Sequence, residues 1–178
     1  MKAIVVAVVG SKKSGKTTVI EALTRELVKK GYAVASVKHI SESNFTIDSE
    51  NKDSWRFAQA GANTIITVAD KEVATIEKKN TENLSLGEIL QKCKGSNVIF
   101  IEGLKKLVAK DKRVWKIVMA KSREEALEAQ GRYHPILAFA GFPHAIKLDS
   151  EIPYVNALEK PRALRDLVEN LLKPQRKP

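Results

Sequence analysis

The chain has one cysteine, Cys93, in 178 residues. No internal disulfide can form, and such sparse cysteine usage fits a reducing compartment. Cys93 reads as a small hydrophobe on a helix. Aromatic residues make up 6% of the chain and are not interleaved with basic ones, which argues against a stacking platform for single-stranded nucleic acid. The three histidines, His39, His134 and His144, show no metal-ligand spacing, and no Ser-His-Asp order can be read. No signal peptide is visible, and the apolar run AIVVAVV at 3–9 is too short to cross a bilayer. The expectation is a soluble, cytoplasmic chain without a membrane partner. Acidic residues are the minority, 21 against 31 Lys and Arg, for a formal charge of +10. That excess attracts nucleotides, phosphorylated metabolites, nucleic acids and acidic proteins alike. Part of it lies in KPQRKP at 173–178, expected to fray, so charge selects no partner.

The remaining composition is that of a folded body. Apolar residues reach 43%, and the length suggests one domain over 1–172 with its own core. Residues 3–9 read as a fully buried strand ending in Gly10. From Thr17, Val19, Ile20, Leu23, Leu27 and Val28 recur at helical spacing, and Gly31 is a stop signal. YAVASVK (32–38) reads as a second strand, so this is a βαβ unit with parallel strands. The polar stretch 39–52 has no clear period and is long for a connector, a frequent mark of function. A short helix at 53–62 stops at Gly61, and TIITVA and EVATIEK flank Asp70-Lys71 as a hairpin over 64–78. SLGE at 85–88 has capping-box spacing and opens a helix to about Lys92. Strands are expected at 97–103, 114–120 and 135–141, and helices at 122–131 and 160–172, the last with Pro161 in its first turn. The alternation predicts a three-layer α/β fold, mainly parallel with one antiparallel hairpin. Ligands in such sheets bind beyond the carboxyl ends of the strands.

One motif falls at such an end. GSKKSGKT, residues 10–17, matches G-x-x-x-x-G-K-[ST] and lies between a buried strand and an amphipathic helix. Successive backbone N–H groups of Gly10, Ser11, Lys12, Lys13, Ser14 and Gly15 can cradle phosphates at a helix N-terminus. Lys16 can reach the β- and γ-phosphates, Thr17 can ligate Mg²⁺, and Thr18 can bond a phosphate nearer the base. Lys13 stands where many such loops carry glycine or asparagine. If that position needs a positive φ, lysine costs ~1 kcal/mol, which its charge can offset beside a triphosphate. Ser11, rather than lysine, follows the first glycine, which disfavours the dimeric ATPases with a signature lysine there.

The expected partner of this loop is an acid at the end of a neighbouring strand. VIFIE supplies Glu102, able to hold Mg²⁺ through water or to orient an attacking water, and Gly103 can offer its N–H to a γ-phosphate. Asp48, on the long loop, is a candidate for the outer metal shell. NKDS at 51–54 only approximates the guanine-reading N-K-x-D pattern and comes too early in the chain. These residues alone leave GTP and ATP open.

Several segments together resemble the molybdopterin-guanine dinucleotide biosynthesis protein B family: VVGSKKSGKTTVIEAL (8–23), GYAVASVKH (31–39), KDSWRFAQAGA (52–62), NVIFIEGLKK (97–106) and IPYVNALEKPRALRDLVENL (152–171). They occur in family order. The pairing of K-D-S-W-R with A-G-A and then E-G-L-K is more specific than the phosphate loop. The resemblance implies a GTP-binding protein of the P-loop NTPase three-layer fold, often dimeric, with weak Mg²⁺-dependent hydrolysis. It would assist the guanylyltransferase that joins GMP to molybdopterin, alongside other cofactor-maturation proteins. Gly10 to Thr18 would bind phosphates, Thr17 and Glu102 would serve the metal, and Lys38, His39, Asp53 and Arg56 match family positions. Ile40, Ser41 and Glu42 depart from the usual T-H-H, and Asn51 stands where glycine is usual. A P-loop nucleotide or metabolite kinase is the first alternative, although the arginines are dispersed and form no lid cluster. A non-catalytic, nucleotide-dependent adaptor is the second. Nucleic-acid binding by the basic face is disfavoured.

Overall fold

The computed structural model describes residues 3–141, 151–157 and 159–173. His144 and the tail beyond Lys173 lie outside that set. The chain forms two compact units, one of residues 1–39 with 86–178 and one of residues 40–85.

The first unit is built on a parallel six-stranded sheet. Its strands are β1 (Ile4–Gly10), β2 (Val34–Lys38), β5 (Val98–Glu102), β6 (Val114–Met119), β7 (Ile136–Gly141) and β8 (Tyr154–Asn156), in spatial order β2-β5-β1-β6-β7-β8. Helices α1 (Lys16–Val28), α3 (Leu86–Lys92), α4 (Lys105–Val108), α5 (Arg123–Arg132) and α6 (Pro161–Leu172) complete it. Period-two alternation in β1 explains the layers. Val6 and Val8 enter one core with Leu23 and Leu27 of α1 and Leu164 and Val168 of α6. Val5, Ala7 and Val9 enter the other with Val108 of α4 and Ala126 and Ala129 of α5. Each fully buried aliphatic side chain contributes about 1.5–3 kcal/mol, so β1 is held from both faces. This is the three-layer α/β fold expected from sequence.

Boundaries moved slightly. Helix α1 begins at Lys16, one residue before the expected start, and β2 begins at Val34 rather than at Tyr32. Helix α5 runs through Gly131 to Arg132, so that glycine does not stop it. Its start is held by Ser122, whose hydroxyl accepts from the Glu125 N–H at 3.2 Å. Strand β8 and the four-residue helix α4 were not anticipated.

Lys116 of β6 is fully buried. Its ammonium donates to the carbonyls of Asp111 and Val114, both at 2.8 Å, and of His134 at 2.6 Å. It thereby ties the segment entering β6 to the segment entering β7. Burial pushes this lysine down to about 8, with Asp111 pulling the other way.

The 40–85 unit contains α2 (Asp53–Gln59) and the antiparallel hairpin of β3 (Thr64–Ala69) and β4 (Glu72–Glu77), as expected from the Asp70-Lys71 turn. Ile66, Val68 and Val73 of the hairpin are exposed.

Candidate functional site

Strand β1 delivers the chain to Gly10 at the carboxyl end of the sheet, and α1 carries it away from Lys16. Gly10 lies opposite Met119 of β6. A Cβ at Gly10 would stand 2.7 Å from the Met119 carbonyl and 2.9 Å from the Ser14 hydroxyl, so only glycine fits. Lys13 has φ 57 and Gly15 φ 86, both left-handed. The condition under which a lysine at position 13 is strained is therefore met. Ser14 is buried, and the hydroxyl of Ser11 is buried without a hydrogen-bond partner among the described residues. Lys12, Lys13, Thr17 and Thr18 are exposed.

Lys16 folds back over this loop. Its ammonium donates to the Ser11 carbonyl at 2.6 Å and reaches the Ser14 hydroxyl at 3.5 Å. Burial lowers its pKa, Glu102 opposes that, and Lys105, Lys121 and Lys38 lower it further. Sequence reasoning assigned no role to Lys105 or Lys121. Each follows the carboxyl end of a strand, β5 or β6 respectively, and the parallel sheet brings those ends together. The result is a concentration of cations around the loop, where an anionic ligand relieves mutual repulsion.

Glu102 is the carboxylate among them. It ends β5, which lies between β1 and β2, in register with Val8 and Lys38. The Thr17 hydroxyl donates to Glu102 Oε2 at 2.9 Å, and Lys38 Nζ lies 3.5 Å from the same oxygen. The Glu102 main chain is tied as well, since its carbonyl accepts from the His39 N–H at 2.9 Å. Gly103 follows with φ 92, and a Cβ there would meet His39 Cβ at 2.8 Å. Packing against His39 therefore requires glycine, and the carboxylate is held by its neighbours on both sides.

The Thr17 and Glu102 oxygens suit a hard cation. Among the described residues no group of three or more His, Cys, Asp or Glu gathers to hold a metal. Such a pair instead suits an ion that keeps waters and takes phosphate oxygens.

Asp48, also expected near the metal, belongs to the 40–85 unit. There its carboxylate accepts from the Ser54 hydroxyl and the Ser49 N–H, each at 2.9 Å. Asp53 and Arg56 form an exposed ion pair at 3.4 Å within α2.

A buried parallel strand, a tight loop with two left-handed residues, a helix opened by lysine and threonine, and an acid on the adjacent strand define the P-loop NTPase class of fold. Within that class the chain belongs to the family described as molybdopterin guanine dinucleotide synthesis protein B, whose model matches residues 5–140. A molybdopterin-guanine dinucleotide biosynthesis adapter protein of Haemophilus influenzae is 34% identical over 100 residues, 55% of each chain. A putative adapter protein of the same description from Methanocaldococcus jannaschii is 33% identical over 122 residues, covering 67% of this chain and 48% of that one. The chain thus spans about half the length of the curated relatives it matches. Among solved structures, Bacillus subtilis MobB superposes with a TM-score of 0.72 at 25% identity, covering 96% of this chain and 99% of that one. A molybdopterin-guanine biosynthesis protein B structure gives 0.73 at 22% identity, with 96% and 99% coverage. No helix among the described residues is long and apolar enough to cross a membrane.

Proposed function

We propose that this chain binds GTP with Mg²⁺ in the loop Gly10–Thr18 and serves as a cytoplasmic accessory protein in molybdopterin guanine dinucleotide formation. The reading is carried by the meeting of Lys16, Thr17 and Glu102 at the carboxyl end of the parallel sheet. Family membership and the adapter descriptions of the relatives support the pathway.

The roles divide by geometry. Main-chain N–H groups of residues 10–15 and the start of α1 bind phosphate oxygens. Lys16 moves from the Ser11 carbonyl to the β- and γ-phosphates. Thr17 and Glu102 hold Mg²⁺, which supplies charge neutralisation on the phosphates, and Gly103 offers its N–H near the γ-phosphate. Thr18 bonds the phosphate nearest the nucleoside. The 40–85 segment is an insertion between β2 and α3 of a single nucleotide-binding domain over 1–172. Slow hydrolysis is expected, because the sequence offers no readable general base or arginine finger to complete the site.

The partners are the molybdopterin guanylyltransferase, other cofactor-maturation proteins and a second copy of this chain. Exposed Ile66, Val68 and Val73 on the hairpin support the homodimer, since apolar side chains so displayed favour a protein contact. The word adapter in both relatives' descriptions also favours a second reading, in which nucleotide orders the molecule for partner binding without productive turnover. Calorimetric titration with GTP and ATP, each with Mg²⁺, tests the proposal. Saturable, Mg²⁺-dependent binding that favours GTP is expected. Indifference to the base, or no binding, contradicts it.

A further inference from the structure

Helix α1 has a second stripe opposite its core-facing one. Thr18, Glu21, Ala22 and Arg25 follow i, i+3, i+4 and i+7 spacing and so share a face. With Ala157, just past β8, and Pro161, at the start of α6, they line a cleft of about 240 Å³. The cleft starts at Thr18, immediately after the residue placed at the metal. A triphosphate running from Lys16 towards Thr18 leaves its nucleoside end on this side of the helix. Pockets for whole drug-sized ligands begin near ~300 Å³, so this one suits a single ring system whose phosphates lie elsewhere.

The lining is chemically selective. Ala22, Ala157 and Pro161 offer short apolar surfaces to a flat ring. Glu21 and Arg25 are exposed one helical turn apart, at a spacing that often forms ion pairs, yet neither side chain has a hydrogen-bond or ion-pair partner among the described residues. A carboxylate only accepts, and a guanidinium only donates. Guanine presents two adjacent donors, N1–H and the 2-amino group, beside the O6 acceptor. Adenine places an acceptor at N1, which a carboxylate repels.

We infer that this cleft takes the guanine ring, with Glu21 accepting from N1–H and the 2-amino group and Arg25 donating to O6. The inference rests on the nucleotide reading above. It puts base recognition on α1 itself, and thus accounts for a guanine reader in a chain that lacks a well-placed N-K-x-D segment.

Equilibrium titration of the full chain and of Glu21→Ala with GTP, ITP and ATP, each with Mg²⁺, tests this. ITP lacks the 2-amino group. The parent is expected to prefer GTP over ITP and ITP over ATP. Loss of the Glu21 carboxylate should shrink the GTP-to-ATP preference by roughly tenfold to a hundredfold, the usual discrimination of a bidentate base contact. The variant should also cease to distinguish GTP from ITP. Glu21 is exposed on a helix and alanine is a strong helix former, so the fold tolerates the change. Retention of the parent's preferences by Glu21→Ala overturns the assignment. So does a parent that binds triphosphates without base preference, although the nucleotide site itself then stands. A parent that binds none of the three overturns the underlying nucleotide reading as well.

Discussion

The Thr17 hydroxyl donates to the Glu102 carboxylate at 2.9 Å although 85 positions separate them in sequence. Parallel pairing of β1 with β5 sets this contact, by placing Glu102 beside Val8 just short of the loop. Glu102→Gln keeps an acceptor for Thr17 and removes the charge. The Mg²⁺ concentration needed for half-maximal GTP binding should then rise by roughly 10–100-fold, the range seen when a metal's supporting groups are altered. A metal-titrated binding assay reads this. An unchanged Mg²⁺ requirement contradicts the placement of the ion.

Gly103→Ala should destabilise the fold. Its left-handed φ of 92 and the 2.8 Å approach to His39 Cβ leave no room for a methyl group. Strain of this kind costs about 1–3 kcal/mol, with overpacking added. Urea denaturation should show a lower midpoint with an unchanged slope. A midpoint equal to the parent's contradicts the geometry.

Lys13→Gly separates strain from charge. Relief of the left-handed lysine gains ~1 kcal/mol, and the greater unfolded-state freedom of glycine offsets much of it. Stability should therefore change little while GTP affinity falls several-fold. Clearly tighter nucleotide binding by the variant would show that the lysine is only a burden.

Lys116 supplies a pH dependence with a defined sign. Its folded value is about 8, against the ordinary 10.5. Between those values the unfolded chain holds a proton that the folded chain has released. This lysine therefore makes stability rise with pH across that window, at up to about 1.4 kcal/mol per pH unit. Below about 8 both states are protonated, and the three carbonyls favour the ammonium. Lys116→Met should remove this slope. It should also cost about 2–3 kcal/mol near neutral pH, through carbonyls left without their donor. Denaturant melts of both proteins from pH 7 to 10 measure the difference, and parallel curves contradict it.

The strand–loop–helix at 3–28 was legible because three signals agree there: a buried β-rich run, loop residues with special backbone needs, and a 3.6-residue period. Glu102 was legible as the charged end of an apolar strand. Strand β8 was not, because three residues carry too little pattern. Nor was α4, whose four residues follow a left-handed Leu104 that no composition signals. The convergence of Lys38, Lys105 and Lys121 on Lys16 depends on strand order, which periodicity does not encode. The Glu21–Arg25 stripe resembles any solvated helix face until the cleft beside Ala157 and Pro161 is seen.

Crystals grown with a nonhydrolysable GTP analogue and Mg²⁺ give the most direct test. Triphosphate density wrapped by the main chain of residues 10–18 is expected, with the metal beside Thr17 and Glu102. An empty loop in crystals that hold the analogue elsewhere would contradict it.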